Sequence, residues 1–528
     1  MRCSPISRHV LTLVVSLFLL NPVARAQDSV KNHAAPILAQ VIEKTAQAAD
    51  RISFDGKAMD YTSTAGKLLL RDDNDEPVAE MFYVAYTQNG VDGAKRPITF
   101  LWDGGPGGAT TAGNFLGFGP MRYSAEQREQ PLAPFTLKPN QHSLLQYSDL
   151  VFLDPIGTGY SRALGNARNS DFWGVDSDAD ATSRAIARYL YLNNRWSSPK
   201  FILGVSYGTT RAAVVSNMLQ NRGVGLNGVI LVASALNFGV YSNGMDHQFV
   251  VNLPTMAATA WYHGKTAHQS KSLPELMDDV RKFARDDYAS ALFQGYDLPQ
   301  ETRNTIAQRL SGYIGLSPDY LKKTHLRVSV IRFRKELLRD QGQVIGRMDG
   351  RALMTDFDHA GEEPESDYWI ISDYVIPVNA ILQDFLGNRL GYRTEQKYWI
   401  VGDGIIQAWN WEHVLPPIAG ISQREIDDMN IFPQNTWAAG DLGVAMRSNP
   451  HLQVFQMNGY YDFATPFGMA EYDLAHMSFD KKLQDNITSG YYEVGHGLFM
   501  DDKALAQISE DMATFYAKAT ATATATAK

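Results

Sequence analysis

The sequence predicts an α/β fold: a mostly parallel central sheet, flanked by helices and carrying a helical cap insertion. The sheet is predicted by short, almost continuously apolar segments, as expected of strands buried on both faces: Ile98–Trp102, Leu150–Leu153, Phe201–Leu203, Val229–Val232, Gln453–Met457 and Tyr491–Val494. Helix-competent runs at Asp178–Tyr191 and Thr209–Gln220 lie between some of these strands. Charged helical segments interrupt this alternation from about residue 238 to residue 431, which indicates the insertion.

Composition excludes several classes of protein. The chain has 528 residues, of which 45% are hydrophobic and 11% aromatic, enough to fill a large core and unlike a disordered or collagen-like chain. Its formal net charge is −9, and there is no long Lys/Arg run, so we expect no nucleic-acid partner. The single cysteine, Cys3, excludes an intrachain disulfide, a zinc finger and an iron–sulfur cluster.

Residues 1–26 have the pattern of a secretory signal peptide. Arg2 and Arg8 precede a short apolar run, Val10–Leu20, and Ala24-Arg25-Ala26 forms an A-x-A cleavage site. The run is shorter than the ~20 residues that a membrane span needs. We therefore expect cleavage after Ala26, a periplasmic or secreted mature protein without a membrane span, and loss of Cys3.

The domain organisation follows from these changes of composition. We expect residues 27–50 to form a helical or loose leader, and the Ala-Thr alternation at the C-terminus to be disordered. The predicted segments are the signal peptide (1–26), the leader (27–50), the first half of the core (51–237), the cap (238–431), the second half of the core (432–516) and the tail (517–528).

The segment Gly204-Val205-Ser206-Tyr207-Gly208 is a G-x-S-x-G motif. Such a motif occurs often by chance, so its context decides its meaning. A predicted strand leads directly into it and a helix-competent run follows, which is the sharp strand-to-helix turn that presents a nucleophilic serine. The pattern indicates that Ser206 is a nucleophile.

A serine nucleophile needs a base and a carboxylate that orients the base. In this architecture they follow in the order Ser, Asp, His, each after a late strand. Asp462 follows the strand that ends at Met457, and His496 follows the strand that ends at Val494. Of the twelve histidines only His496 has this placement, and we interpret His413 and His451 as structural.

A glycine-rich loop, Trp102-Asp103-Gly104-Gly105-Pro106-Gly107-Gly108, follows another predicted strand. Backbone N–H groups in such a loop can stabilise the oxyanion of a tetrahedral intermediate. A phosphate-binding loop is the alternative, but the segment has neither a G-x-G-x-x-G pattern nor a Lys-Ser/Thr ending. We therefore predict an oxyanion hole.

Together these segments resemble the serine carboxypeptidases, a family with the α/β-hydrolase fold. The matching segments are Trp102–Gly107, Phe152–Ser161, Gly204–Gly208, the turn at Asp462 and Gly495-His496, in the family's order. The resemblance implies that Ser206 is the nucleophile, His496 the base and Asp462 its orienting carboxylate, with the N–H groups of Gly105 and Tyr207 as the oxyanion hole. It also implies that the enzyme cleaves C-terminal residues from peptides and needs no metal or organic cofactor.

The chain departs from the family where the substrate's C-terminal carboxylate is bound. The Asn and the two Glu that bind it align with Asp103, Gly117 and Val205, and Gly108 replaces a family cysteine. We expect Asp103, Gly104 and Val205 to contact substrate. Ionised Asp103 would repel a carboxylate ~4 Å away by about 4 kcal/mol at an effective dielectric of ~20. Arg122 or Arg211 could receive the carboxylate instead.

Other interpretations remain open. A prolyl-iminopeptidase-type aminopeptidase also has the G-G-P-G loop and the G-x-S-x-G motif, and Asp103 could attract an amine, although Asp154–Ser161 fits the carboxypeptidases better. An esterase or acyltransferase would act on a small acyl substrate. An inactive binding protein is disfavoured because the three catalytic residue types are intact. Trp409 and Trp411 could line a pocket or pack in the core, and Arg347–Arg351 could line the pocket or form a plain turn. The sequence does not indicate an oligomeric state.

Overall fold

The computed structural model describes residues 45–128, 133–242, 244–364, 367, 370–417, 420–429, 436–477 and 480–525, with only the backbone at 522–525. These residues belong to one unit, Glu43–Lys528. The other unit, Met1–Ile42, lies outside the described residues, and with it the predicted signal peptide and its cleavage after Ala26. Within the described ranges no helix is long and apolar enough to cross a membrane.

Strands are numbered in chain order: β1 (Thr45–Phe54), β2 (Lys57–Arg71), β3 (Pro77–Gln88), β4 (Ile98–Trp102), β5 (Met121–Arg122), β6 (Lys138–Pro139), β7 (Asp149–Leu153), β8 (Arg162–Ala163), β9 (Lys200–Val205), β10 (Gly228–Val232), β11 (Gln343–Ile345), β12 (Leu353–Thr355), β13 (Gln453–Gly459) and β14 (Ile487–Tyr492).

The α-helices are α1 (Ala125–Arg128), α2 (Val175–Leu192), α3 (Tyr207–Asn221), α4 (His247–Tyr262), α5 (Leu273–Phe283), α6 (Ala289–Gln294), α7 (Gln300–Ile314), α8 (Pro318–Lys323), α9 (Val330–Glu336), α10 (Ile376–Asp384), α11 (Ile405–Ala408), α12 (Gln423–Met429), α13 (Ala439–Ser448), α14 (Phe467–Ala475) and α15 (Asp502–Ala525). A π-helical segment, Gly113–Phe118, follows the glycine-rich loop.

The main sheet has the strand order β1-β2-β3-β7-β4-β9-β10-β13-β14, with β8 paired to β3. The pairs from β1 to β7 are antiparallel, and every pair from β7 to β14 is parallel. All residues of β4, β7, β9, β10 and β13 are buried, which explains their continuous apolar sequences. The predicted α/β fold is confirmed, and it is of the α/β-hydrolase type.

Helices cover both faces of the parallel strands. Side chains along β9 alternate between two apolar clusters: Leu203 packs with residues of α15, and Ile202 packs with residues of α2 and α3. This period of two is the reason that a strand of almost uninterrupted apolar residues can be stabilised from both sides. Because the strands from β4 to β14 in this sheet run parallel, the carboxyl ends of β4, β9, β13 and β14 lie at one edge of the sheet.

The chain between β10 and β13 contains α4 to α13 and the short strands β11 and β12. It has an apolar cluster contributed mainly by α4, α5 and α7. α5 begins with a capping box in which Ser272 and Glu275 satisfy each other's backbone N–H groups. The helices expected in this part of the chain are present. The proposed cap boundaries at residues 238 and 431 stay predictions.

The structure corrects two of the predicted segments. Residues 45–50, expected in a helical or loose leader, form the first part of β1 and pair with residues 61–66 of β2. Ala46 and Ala48, two residues apart, both pack against the core. This period of two is hard to recognise in the sequence because the alanine side chains are small. Residues 517–525, expected to be disordered, continue α15 because alanine is the strongest helix former and Ala519 packs against the core with 2% exposure. Residues 526–528 lie outside the described residues.

Candidate active site

Ser206 lies in a tight turn between a buried strand and a helix. β9 ends at Val205, and α3 begins at Tyr207. Ser206 has φ 58° and ψ −128°, a conformation that costs a non-glycine residue about 1–3 kcal/mol and is concentrated at functional sites. The neighbours must be small, since a Cβ at Gly204 would lie 2.0 Å from the Gly208 carbonyl oxygen. The strand-to-helix turn predicted from the G-x-S-x-G motif is therefore present.

Asp462 and His496 meet across the ends of β13 and β14. His496 Nδ1 lies 2.8 Å from Asp462 Oδ2. Asp462 is fully buried, and its carboxylate also accepts hydrogen bonds from Ala464 N (2.7 Å), Thr465 N (3.0 Å) and Thr465 Oγ1 (2.7 Å). These bonds fix the carboxylate, and a proton held on Nδ1 leaves Nε2 of the imidazole free to accept another.

A cavity of about 400 Å³ brings Ser206 and His496 together, because both residues line it. Asp462 lies behind His496, out of contact with solvent. Most of the cavity surface comes from small or apolar side chains: Pro106, Ala109, Ala112, Val205, Tyr207, Ala235, Phe238, Met348, Ile370, Ile400, Val401, Ile406, Phe499 and Met500. Few charged side chains line the cavity, and such groups usually determine which ligand binds and in which orientation.

The glycine-rich loop lies directly against Ser206. A Cβ at Gly104 would be 2.7 Å from Ser206 Cβ and 2.8 Å from Tyr207 N, so only glycine permits this approach. Gly105 has φ +119° and lines the cavity. Tyr207 is the first residue of α3, and its N–H therefore has no acceptor within the helix. The two predicted oxyanion donors, Gly105 and Tyr207, line the same cavity as Ser206.

Asp103 lines the cavity, but its carboxylate is already hydrogen-bonded by the backbone. Ala112 N donates to Oδ2 at 2.7 Å and Gly113 N to Oδ1 at 3.0 Å, at the start of the π-helical segment. Burial raises the pKa of Asp103 to about 6, against the opposing effect of these N–H donors. Burial also raises the pKa of Asp154 to about 7. Asp103 is therefore neutral in mildly acidic solution and ionised above it.

The other two positions that differ from the family also have clear surroundings. Val205 lines the cavity with 7% exposure, so an apolar side chain stands where the family has a Glu. Gly117 is buried in the π-helical segment, where a Cβ would lie 2.8 Å from the Phe499 ring. A Glu at residue 117 would have no room, and neither position supplies a group that binds a carboxylate.

The two arginines suggested as carboxylate receptors lie elsewhere. Arg122 is 5% exposed and forms an ion pair with Asp502 at 2.7 Å. Arg211 is 1% exposed, pairs with Asp178 at 2.6 Å and donates to the Asp103 carbonyl oxygen at 3.1 Å. Neither is among the residues that line the cavity. That suggestion was wrong, because both guanidinium groups are used to neutralise buried or neighbouring carboxylates.

Sequence reasoning left two further segments undecided. Trp409 and Trp411 pack edge-on against the Tyr207 ring, with centroids 5.2 and 5.8 Å away. They support the residue after Ser206 and do not line the cavity. Arg347 does line the cavity, and so does Thr465, whose hydroxyl bonds to Asp462. Thr465 was not predicted as a site residue, although it lies only three residues after Asp462.

Comparison with known proteins gives one family. The family model described as serine carboxypeptidase matches residues 57–311. Over these residues the chain is similar to the serine carboxypeptidases. A stretch of 142 residues is 31% identical to the pheromone-processing carboxypeptidase KEX1 of Phytophthora infestans (strain T30-4), covering 27% of this chain and 21% of that protein. The match thus spans about a fifth of the curated relative.

Solved structures show only distant likeness. A proline iminopeptidase of Mycobacterium smegmatis has a TM-score of 0.35 at 12% identity, over 90% of this chain and 100% of that chain. A putative aryl esterase from Burkholderia cenocepacia has a TM-score of 0.33 at 12% identity, over 86% of this chain and 98% of that chain. Scores this low do not bear on activity.

The serine carboxypeptidase match includes the glycine-rich loop and Ser206, whereas Asp462 and His496 lie beyond its end. The pairing of Asp462 with His496 is therefore independent of the match and comes from the fold alone. In the ranges that the structure describes there is also no cluster of His, Cys, Asp or Glu able to hold a metal ion.

Proposed function

We propose that this protein is an exported serine-type carboxypeptidase that removes C-terminal residues from peptides through an acyl-enzyme on Ser206. One observation carries the proposal: His496, hydrogen-bonded to buried Asp462, lines the same cavity as Ser206 and the glycine-rich loop. The match of residues 57–311 to the serine carboxypeptidase family model supports the peptide substrate. The export part of the proposal rests on the signal-peptide pattern in residues 1–26.

In the acylation step, Ser206 Oγ attacks the carbonyl carbon of the scissile peptide bond, and its proton passes to His496 Nε2. Asp462 holds the proton on Nδ1 and stabilises the imidazolium that forms. The carbonyl oxygen becomes an oxyanion, which the N–H groups of Gly105 and Tyr207 are placed to stabilise. Loss of one such donor costs about 2.7–4 kcal/mol of transition-state stabilisation in comparable enzymes.

Collapse of the tetrahedral intermediate breaks the C–N bond. His496 gives its proton to the leaving nitrogen, so the departing residue leaves as a free amino acid and the remaining peptide is esterified to Ser206. A water molecule then attacks the ester, with His496 again as base, and regenerates the serine. The apolar cavity wall, which includes Phe238 and Ile406, suits an apolar side chain on the substrate.

An aminopeptidase is the second candidate, because Asp103 is a carboxyl group on the cavity surface that could attract a substrate amine. Both of its oxygens already accept backbone N–H groups, which leaves less capacity for an ammonium group than a free carboxylate would have. An esterase with the same acyl-enzyme chemistry would differ only in the leaving group. Substrates with blocked and free termini separate the three activities.

A fluorophosphonate probe tests the nucleophile. We expect it to label the mature protein, and to label neither Ser206→Ala nor a wild-type sample pretreated with a serine-hydrolase inhibitor. A matched control is Ser489→Ala, which removes a hydroxyl from β14 away from the cavity and should not reduce labelling. Absence of labelling in folded wild-type protein would favour the inactive binding protein, and labelling that persists in Ser206→Ala would refute Ser206 as the nucleophile.

A further inference from the structure

Arg347 lies on the surface of the substrate cavity. Among the described residues that line it, the ionisable side chains are the Asp103 carboxyl, the His496 imidazole, the Arg347 guanidinium and two tyrosines, Tyr207 and Tyr374. Arg347 is thus the one permanently cationic group there. A cavity that is otherwise largely apolar would attract an anionic group of a ligand to this position.

The Arg347 side chain has no partner among the residues that the structure describes. Neighbouring arginines are paired: Arg334 with Asp367 at 2.7 Å, and Arg351 with Asp349 at 2.7 Å. No hydrogen bond or ion pair within those residues uses the Arg347 guanidinium, which is exposed to the cavity and solvent. An unpaired surface arginine is common in proteins, so the position of its backbone is what distinguishes this one.

The backbone on both sides of Arg347 is fixed by hydrogen bonds. Buried Asp367, itself held by Arg334, accepts Arg347 N at 2.7 Å and Met348 N at 2.7 Å. Phe463, next to Asp462, donates its N–H to the Arg347 carbonyl at 3.1 Å. These bonds attach the segment of Arg347 to the turn that holds the orienting carboxylate.

The same segment is attached to the base. His496 N donates to the Met348 carbonyl oxygen at 2.6 Å, and Gly350 N donates to the Tyr461 carbonyl at 2.8 Å. Gly495 also packs against this segment, since a Cβ there would lie 2.3 Å from the Met348 oxygen. The position of Arg347 relative to the His496 imidazole is therefore set by the backbone, which is the preorganisation that a specific binding group needs.

The chemistry of the proposed reaction defines what lies beside His496. The base must protonate the leaving nitrogen, so the departing residue occupies the His496 side of the cavity. In a C-terminal residue the α-carboxylate is joined to that nitrogen through a single carbon atom. A guanidinium on the segment that contacts His496 is thus on the side of the departing residue, and its planar fork matches a carboxylate.

We propose that Arg347 binds the α-carboxylate of the residue that is cleaved off, and so determines that the enzyme acts at peptide C-termini. The inference rests on the proposed carboxypeptidase function. It assigns to Arg347 the role that the resembling family gives to an Asn and two Glu, whose positions here are Asp103, Gly117 and Val205. A guanidinium binds an ionised carboxylate directly, without the shared proton that a carboxyl–carboxylate pair requires.

The test compares one substrate in two forms, N-benzyloxycarbonyl-Phe-Leu and its C-terminal amide. We expect Arg347→Gln to lower kcat/KM for the free acid by about 10- to 100-fold, the size expected for losing a charge-assisted hydrogen bond, mainly through KM. Hydrolysis of the amide should change less than about twofold, since the amide cannot form the ion pair. Arg347→Lys, which keeps the charge but loses the fork, should fall between wild type and Arg347→Gln.

Arg332→Gln is the matched control, because it removes one exposed positive charge from the cap sequence without touching the cavity. Fluorophosphonate labelling rates and thermal unfolding temperatures establish that each variant has an intact site. An equal loss for acid and amide, or no loss for either, would overturn the role of Arg347 while Ser206-dependent hydrolysis still supported the proposed function. No Ser206-dependent hydrolysis of either form by folded wild-type protein would overturn the proposed function itself.

Discussion

At the scale of single residues, we expect Asp103 to make kcat/KM for a free-acid substrate depend on pH. Its pKa is raised to about 6 by burial, so the side chain is neutral below pH 6 and ionised above it. An ionised Asp103 would repel the carboxylate of a substrate that occupies the same cavity. The repulsion between Asp103 and a substrate carboxylate, expected from the sequence for an ionised Asp103, therefore depends on pH.

We therefore predict that the ratio of kcat/KM for the free-acid substrate to kcat/KM for its amide falls, by about 10-fold, as pH rises from 5 to 8. Taking the ratio cancels any pH dependence that the two substrates share. In Asp103→Asn the ratio should stay flat over the same range. A wild-type ratio that is independent of pH, measured by initial rates, would show that Asp103 does not face the carboxylate.

His413 lies between two carboxylates. Its Nδ1 is 2.6 Å from Asp176 Oδ1 on α2, and its Nε2 is 2.7 Å from Asp441 Oδ2 on α13. Only the protonated ring donates from both nitrogens. Burial opposes the charge, but the bonds to Asp176 and Asp441 outweigh it and raise the pKa of His413 to about 9. His413 therefore has a structural role, as expected: it attaches the segment after Trp411 to α2 and α13.

A raised pKa means that the folded protein holds a proton that the unfolded chain releases near pH 6.5. The stabilisation is complete below that pH and is lost as pH rises through 9. We predict that the free energy of unfolding falls by about 2–3 kcal/mol more in wild type than in His413→Gln between pH 7 and 10. Chemical denaturation measures this difference, and exposed His451→Gln should behave like wild type. Parallel pH profiles in wild type and His413→Gln would contradict the ion-pair interpretation.

At the scale of secondary-structure elements, the end of α15 provides a sharp test because the sequence suggested disorder there. Ala519 is 2% exposed, and Asn227 Nδ2 donates to its carbonyl oxygen at 3.3 Å. Ala517, two residues earlier, is exposed on the same helix. The two alanines lie on the same helix but occupy different faces of it.

We predict that Ala519→Glu lowers the free energy of unfolding by roughly 2 kcal/mol or more, because it buries a charge without a partner. Ala517→Glu should stay within about 0.5 kcal/mol of wild type, as surface substitutions usually do. Thermal or chemical unfolding of the two variants gives the comparison. Equal and negligible effects would mean that the C-terminal residues are not packed on the sheet.

Elements also explain which parts of the site were predictable. The strands before Ser206 and Asp462 are buried and largely apolar, whereas β14, before His496, has the partly exposed sequence ITSGYY and shares only Tyr491 and Tyr492 with the predicted run Tyr491–Val494. The ends of the three strands meet at one sheet edge because the strands are parallel. Local sequence was therefore sufficient to locate the three residues, although not the bounds of β14. Arg347 was ambiguous because nothing near it in sequence shows that Asp367, Phe463 and His496 would fix its segment.

At the scale of the whole molecule, the sequence predicted the mostly parallel sheet and its helical insertion, but not the extension of the sheet by β1 or of α15 into the tail. Both failures involve alanine-rich segments, in which small side chains give little periodic signal until a packed neighbour is known. The error over Arg122 and Arg211 has a related cause. Their partners, Asp502 and Asp178, are distant in sequence and became evident only in the fold.

The most direct test of the account is the release of leucine from N-benzyloxycarbonyl-Phe-Leu by the mature protein at pH 6, followed by mass spectrometry. We expect wild-type protein to release free leucine, and Ser206→Ala and His496→Gln to lower kcat by at least about 10³-fold without loss of folding. Folded wild-type protein that leaves this substrate intact while hydrolysing free-amine peptides or simple esters would contradict the account.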